Sequence, residues 1–145
     1  MDEFMKEAFK EAKIGLEEGG VPIGAVLVHN GKIIGRGHNK RFQENSATLH
    51  GEMSALENAG RLPASVYKEC VMYTTLSPCS MCTGAMILYG IPKVVIGENV
   101  NYMGEEECLK SRGINVTVLN DQECIKMMGD FIKDKPSLWN EDIGE

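Results

Sequence analysis

The sequence contains two decisive segments, His50-Gly51-Glu52 and Ser77-Pro78-Cys79-Ser80-Met81-Cys82. One imidazole and two thiols are ligands that suit zinc, and three protein ligands leave the fourth tetrahedral position open for water. Glu52 is not needed as a ligand, so it is a candidate for moving protons to and from that water. Both segments lie at predicted helix starts, which is the usual placement of an active site in an α/β domain.

The residues around each segment indicate where the two helices begin and end. Thr48 is a suitable N-cap for a helix over 49–59, which Gly60 ends. Ser77 is a suitable N-cap for a second helix over 78–89, with proline at its first position. On that helix the two cysteines are three residues apart and share a face, so both sulfurs can reach one ion.

The spacing of His50 and Glu52 sets a geometric condition on the site. Residues two apart on a regular helix do not share a face, so they converge only on an ion that lies beyond the helix end. Cys79 lies in the first turn of its helix, where the helix N-terminus favours an anion and lowers the pKa of a thiol. We therefore expect the ion between two helix N-termini.

The remaining pattern predicts a three-layer α/β/α sandwich with a mixed five-stranded sheet. An amphipathic helix is expected over 2–18, and Asn30-Gly31 predicts a tight β-hairpin between strands 23–28 and 32–36. The later strands alternate with helices, which favours parallel pairing of the last three strands. These later elements are strands 70–75, 93–96 and 114–119 and helices 105–111 and 121–133, the last with Asn120 and Glu123 as a capping box.

Composition is that of one soluble globular domain, 1–145, with 43% hydrophobic and 25% charged residues. No apolar run approaches the ~20 residues that span a bilayer, so no membrane partner is expected. The odd number of cysteines, five, favours a reducing compartment and a cytoplasmic location. A net charge of −6 argues against nucleic acid as a partner.

The cysteine pair also has simpler interpretations. A lone Cys-x-x-Cys is often a redox pair or two buried thiols, but the preceding proline and the upstream His-x-Glu favour a metal site. A structural zinc site needs four protein ligands, and the fourth would have to come from a residue outside both segments. Since the available candidates are scattered, we expect an open, catalytic site with one zinc per chain. Those candidates are Cys70, Cys108, Cys124 and His38.

These residues make the chain resemble the yeast-type (fungal) cytosine deaminases of the zinc-dependent cytidine/deoxycytidylate deaminase superfamily. His-x-Glu with Pro-Cys-x-x-Cys is the signature of that superfamily. The resemblance extends from about residue 10 to the end of the chain, and two departures are Ser80 for an expected Asp and Tyr102 for an expected Phe. The matching stretches are 18–24, 35–39, 46–52, 73–79, 89–92, 97–101 and 139–145.

The resemblance implies a cytidine deaminase-like fold, a homodimer, and hydrolysis of free cytosine to uracil and ammonia in pyrimidine salvage. Zinc-bound hydroxide would attack C4 while Glu52 carries its proton to ring N3, and Glu52 would then protonate the amine as the tetrahedral intermediate collapses. The implied substrate-binding groups are the Asn39 side chain, the backbone near Gly51, the Ser77 carbonyl, Asp142, Tyr102 and Trp139.

Simpler roles exist for three of these residues: Asn39 could end the hairpin, Ser77 could only cap a helix, and Trp139 could anchor the tail. The segment after Pro136 is expected to lie past the last helix and to fold back over the base. Three other functions stay open, namely a tRNA adenosine deaminase, a cytidine deaminase and a zinc-stabilised scaffold without turnover.

Overall fold

The computed structural model describes all 145 residues, which form one five-stranded sheet and seven helices. The strands are β1 (Gly24–His29), β2 (Lys32–His38), β3 (Cys70–Thr74), β4 (Lys93–Ile96) and β5 (Asn115–Val118). Their order across the sheet is β2-β1-β3-β4-β5. The first three pair antiparallel, and β3, β4 and β5 are parallel, so the predicted mixed sheet is confirmed.

The helices follow the alternation that the sequence predicts, with two additions. No helix has the length and apolar character that crossing a membrane requires. The helices are α1 (Glu3–Glu17), α2 (Gly51–Ala59), α3 (Ala64–Tyr67), α4 (Ser80–Tyr89), α5 (Glu106–Ser111), α6 (Gln122–Asp134) and α7 (Pro136–Asp142).

Alternating side chains of the sheet build a core on each face, which gives the three layers. Ala25 and Leu27 of β1 belong to a core shared with α2 and α4, whereas Val26 and Val28 pack with α1. The β1–β2 hairpin turns at Asn30 and Gly31, which have φ of 48° and 76°. Positive φ at both turn residues is what the Asn-Gly pair tolerates, so the predicted tight hairpin is confirmed.

The register of β1 against β3 brings four chain segments to one edge of the sheet. Ala25 pairs with Thr74, and the Thr75 N–H donates to the Gly24 carbonyl oxygen over 3.0 Å. The residues just before β1 and just after β2 and β3 therefore lie side by side. Residues that follow β4 join them, because the Ser77 N–H donates to the Glu98 carbonyl oxygen over 3.0 Å.

Two predicted helix starts are wrong by two residues, because the expected caps make other bonds. The Thr48 and Leu49 N–H groups both donate to Ser46 Oγ (3.2 Å each), which holds them in a loop, and His50 is the N-cap of α2. Ser77 likewise does not cap α4, whose N-cap is Cys79.

The C-terminal third departs from expectation at two further places. Asp121, and not Asn120, caps α6, since its side chain accepts the Cys124 N–H over 3.0 Å. The segment after Pro136 is a helix of its own, α7, and its Trp139 is buried in a core with Phe131 of α6. Periodicity missed α7 and α3 because each spans at most two turns.

Gly24→Ala is expected to destabilise the protein, because the added Cβ would collide with the Ala8 carbonyl oxygen and lie 2.5 Å from the Ala12 nitrogen of α1. Overpacking against backbone of this kind costs about 1–3 kcal/mol. Chemical denaturation should give a lower midpoint than for the wild type. Gly129→Ala in α6 is the matched control, since its nearest new contact is 3.5 Å away. The result would contradict this packing if both variants unfolded at the same denaturant concentration.

Candidate active site

Three potential metal ligands converge where α2 and α4 begin. His50 and Cys79 are the N-caps of the two helices, and Cys82 lies in the first turn of α4. Their ligand atoms all lie within 4.8 Å of one another, with His50 Nδ1 3.3 Å from Cys79 Sγ and 3.7 Å from Cys82 Sγ. Tetrahedral zinc at ordinary bond lengths separates N and S ligands by about 3.5 Å, so the donor set fits zinc.

None of the four candidates for a further ligand belongs to this group of three. His38 has both ring nitrogens engaged elsewhere, at 2.9 Å from Glu11 and 2.8 Å from Glu18. With three protein ligands, a tetrahedral ion retains one position for water or substrate. The arrangement is that of an open site, as expected for catalysis.

The protein groups around the two sulfurs favour one thiolate beside a cationic imidazole. A hydrogen bond that Cys82 donates to Cys79, together with one from His50, lowers the pKa of Cys79 to about 4. The same bond between the two cysteines raises the pKa of Cys82. Burial opposes the charge on His50, but the Cys79 hydrogen bond and the Asp142 and Glu52 charges raise its pKa to about 9. Zinc binding would release the proton that the sulfurs share.

Glu52 lies two residues into α2, with only 4% of its surface exposed. Burial raises its pKa to about 7, with the nearby Cys79 charge adding to the effect. A carboxyl group with a pKa near the working pH can both accept and return a proton. Glu52 is outside the ligand group but faces the same cavity, so it has the placement of an acid–base group.

One small cavity connects the ligand group with the C-terminal helix. Its free space is about 20 Å³, which holds about one water molecule. Nothing larger can enter unless part of the lining moves, and three lining residues come from α7 and the residue after it. The lining consists of Ile23, His50, Glu52, Leu76, Ser77, Cys79, Tyr102, Trp139, Asp142 and Ile143.

Asp142 of α7 is buried beside His50, one of the three potential zinc ligands. Its carboxylate accepts Asn39 Nδ2 over 2.8 Å and lies 3.6 Å from His50 Nε2 and 3.7 Å from Arg41 Nη1. Burial raises the pKa of Asp142, although these three partners oppose the shift. A carboxylate beside the ring nitrogen that does not bind the metal orients a ligating histidine. Asp142 therefore also helps to orient His50 toward the metal position.

Of the other predicted substrate residues, Ser77, Tyr102 and Trp139 line the same cavity, whereas Asn39 and Gly51 do not. Gly51, the first residue of α2, packs so closely on Ile23 that a Cβ would lie 3.0 Å from the Ile23 carbonyl oxygen. Tyr102 and Trp139 meet edge to face, with ring centroids 5.7 Å apart and planes at 85°. The Ser77 carbonyl oxygen accepts no hydrogen bond within the chain and is available to a bound molecule.

Sequence reasoning missed the buried carboxylates that hold the loop between β4 and α5. Glu98 is fully buried and accepts the N–H groups of Val100 and Asn101 over 2.8 and 2.9 Å. This loop carries Tyr102 to the cavity. In the sequence Glu98 follows Gly97 after the predicted strand 93–96 and belongs to the matching stretch 97–101, but neither observation indicates that it holds this loop.

Comparison with known proteins places this geometry in a family. Residues 1–98 match the family described as the cytidine and deoxycytidylate deaminase zinc-binding region. That region contains all three ligands and Glu52. The chain belongs to this zinc-binding deaminase family. The zinc ligand set is therefore supported by the family as well as by the distances.

Individual members differ in how much of the chain they match. Cytosine deaminase of Candida albicans is 58% identical over 142 residues, which covers 97% of this deaminase and 95% of the relative. A tRNA-specific adenosine deaminase of Bacillus subtilis is 48% identical over 95 residues, covering 65% of this chain and 59% of the relative. A solved structure from a study of tRNA:A34 deaminases has 30% identity and a TM-score of 0.74, covering 86% of this chain and 97% of that structure.

Cys79→Ala and Cys82→Ala should each lose zinc, because either change leaves two protein ligands for an ion that needs at least three. Stability should fall as well, since metal binding contributes to folding free energy. Elemental analysis should find one zinc per chain in the wild type and far less in both variants. Cys108→Ala, a partly buried cysteine outside the ligand group, is the control and should keep its zinc. Full zinc occupancy in the Cys82 variant would refute the assignment.

Proposed function

We propose that this deaminase hydrolyses free cytosine to uracil and ammonia. The observation that carries the proposal is the small cavity that Glu52 and the zinc ligands His50 and Cys79 line together with Tyr102 and Trp139. The 58% identity to a cytosine deaminase supports it, because that match extends over 97% of the chain and so takes in the C-terminal residues that close the cavity.

The ligand group and Glu52 divide the chemistry between them. His50, Cys79 and Cys82 would hold the zinc, which would supply the Lewis acidity that makes water nucleophilic at neutral pH. Glu52 accepts the proton of the attacking water and passes it to ring N3 of cytosine. It then takes the proton of the new C4 hydroxyl and delivers it to the C4 amine, so that the C4–N bond breaks, ammonia leaves and the carbonyl of uracil forms. A buried carboxyl with a pKa of about 7 suits both transfers.

The remaining groups bind and orient the base. Asp142 lines the cavity and presents a carboxylate to the pyrimidine edge, and Asn39, which lies outside the lining, donates its amide to that carboxylate. The free Ser77 carbonyl oxygen can accept a hydrogen bond from the amine. Tyr102 and Trp139 cover the ring and exclude water, which strengthens the polar contacts inside. Since the closed cavity holds about one water, α7 or the Tyr102 loop must move to admit cytosine, and this motion can limit product release.

A tRNA adenosine deaminase is the second candidate, because relatives with that activity reach 48% identity. Two observations favour the free base. The net charge of −6 provides no general attraction for a polyanion. Trp139 and Asp142 of α7 also lie over the cavity, where a flipped base attached to a nucleic acid backbone would have to enter.

We also propose a homodimer located in the cytoplasm. Exposed apolar side chains at the end of α4 support the dimer, since Leu88 is 75% and Tyr89 41% exposed. All five cysteines are free, which supports a reducing compartment.

A substrate panel tests the choice of substrate directly. The purified zinc protein should deaminate cytosine with a kcat/KM far above its values for cytidine, adenine, guanine and a tRNA anticodon stem-loop. Ammonia release measured on all five under one condition decides the matter. A higher kcat/KM for the stem-loop would replace the proposal with the tRNA activity, and no turnover on any member would favour a scaffold.

Glu52→Gln should retain zinc and lose most turnover, because the amide cannot carry a proton between water, N3 and the amine. General acid–base catalysis typically contributes about 10²–10⁴-fold, so kcat should fall by that factor. Glu57→Gln, an exposed glutamate on the same helix, is the matched control and should keep wild-type kcat. Near-normal kcat in a zinc-loaded Glu52→Gln protein would show that another group moves the proton.

A further inference from the structure

Glu106 is a buried carboxyl group that none of the steps above uses. It lies at the start of α5 with 4% of its surface exposed and does not line the cavity. Its Oε2 accepts the Ser77 hydroxyl over 2.6 Å, and its Oε1 accepts Asn99 Nδ2 over 3.3 Å. The shorter distance is that of a charge-assisted hydrogen bond, the strongest kind that a hydroxyl makes.

The Ser77 hydroxyl joins Glu106 to the loop that carries Tyr102. Ser77 Oγ donates to Glu106 and accepts the Gly104 N–H over 2.9 Å. The next N–H, that of Glu105, donates to the Pro78 carbonyl oxygen over 3.0 Å. Gly104 packs so tightly on that carbonyl that a Cβ would overlap it. The loop after Tyr102 is thus bonded directly to the segment that leads into Cys79.

Ser77 lines the cavity, and its side chain bonds to Glu106. Its carbonyl oxygen is free for the substrate amine, while its hydroxyl donates to Glu106 and accepts the Gly104 N–H. Glu98 already organises the beginning of the same loop through Val100 and Asn101. The particular contribution of Glu106 is therefore the link between this loop and Ser77.

We propose that Glu106 is a positioning residue that acts through the Ser77 hydroxyl to hold the Ser77 carbonyl and the Tyr102 ring against the bound base. This inference rests on the proposed function. Glu106 does not touch the substrate; it restricts two groups that do. Small displacements of positioning groups can change rates by about 10²-fold, so the link has a measurable effect.

The chain contains one tryptophan, Trp139, whose fluorescence reports on the Tyr102 loop in the absence of any enzymatic reaction. Because Tyr102 packs edge to face on Trp139, a loosened loop exposes the indole to water. Glu106→Ala and Ser77→Ala should each shift the emission to longer wavelength and increase quenching by acrylamide. Glu107→Ala changes the exposed neighbour on the same helix, whose side chain is 92% exposed, and should leave both unchanged. Native-like circular dichroism and one zinc per chain would show that each variant is folded.

Kinetics with cytosine test the same link through its effect on the substrate. Glu106→Ala and Ser77→Ala should each lower kcat/KM about 10- to 100-fold, mainly by raising KM, and Glu106→Gln should recover part of the loss because it keeps one acceptor oxygen. The double variant should be no worse than the more impaired single variant, since both remove one linkage.

Three outcomes test this inference separately from the proposed function. If the wild type does not deaminate cytosine, the proposed function fails, while the fluorescence comparison still tests the link. If the wild type is active but Glu106→Ala behaves like Glu107→Ala in emission and KM, the inference is wrong. It is also wrong if folded, zinc-loaded Glu106→Ala and Ser77→Ala show independent, multiplicative losses, because Glu106 would then not act through Ser77.

Discussion

The meeting of two helix N-termini at one point is the constraint on which the rest of this structure depends. His50 and Cys79 are N-caps, so neither is inside its helix, and both can turn toward an ion beyond the helix ends. The antiparallel register of β1 and β3 places the two N-termini side by side. A shift of one residue would turn every side chain of β3 to the other face and separate the ligands.

Around this point the protein divides its tasks between two parts of the chain. The residues that match the deaminase family end at 98 and contain the ligands and Glu52. The groups that close the cavity, Tyr102, Trp139 and Asp142, all come later. The zinc ligands and Glu52 therefore lie in the part of the chain that matches the family, whereas the shape of the space above them depends on α7 and the loop before α5.

Much of the fold could be predicted because local patterns determined it. The Asn-Gly turn, the helix periodicity and the strand alternation are short-range signals, and the parallel pairing of the last three strands followed from them through the right-handed crossover rule. The caps could not be predicted, because a serine or threonine beside a helix start has several possible partners. Ser77 was expected to cap α4, but its hydroxyl bonds to Glu106, a residue 29 positions away.

The sequence by itself determined the ligand chemistry, since one histidine, two cysteines and a non-ligand glutamate at these spacings suit few other purposes. Only the tertiary structure decided how Asp142 is placed. It brings Asp142 against Asn39 and His50 across more than ninety residues, a contact for which no local pattern exists. The same holds for Glu98 and Glu106, which look like surface residues in the sequence. Burial and hydrogen bonding of a charged side chain are properties of the packed chain, so they become visible only when it is folded.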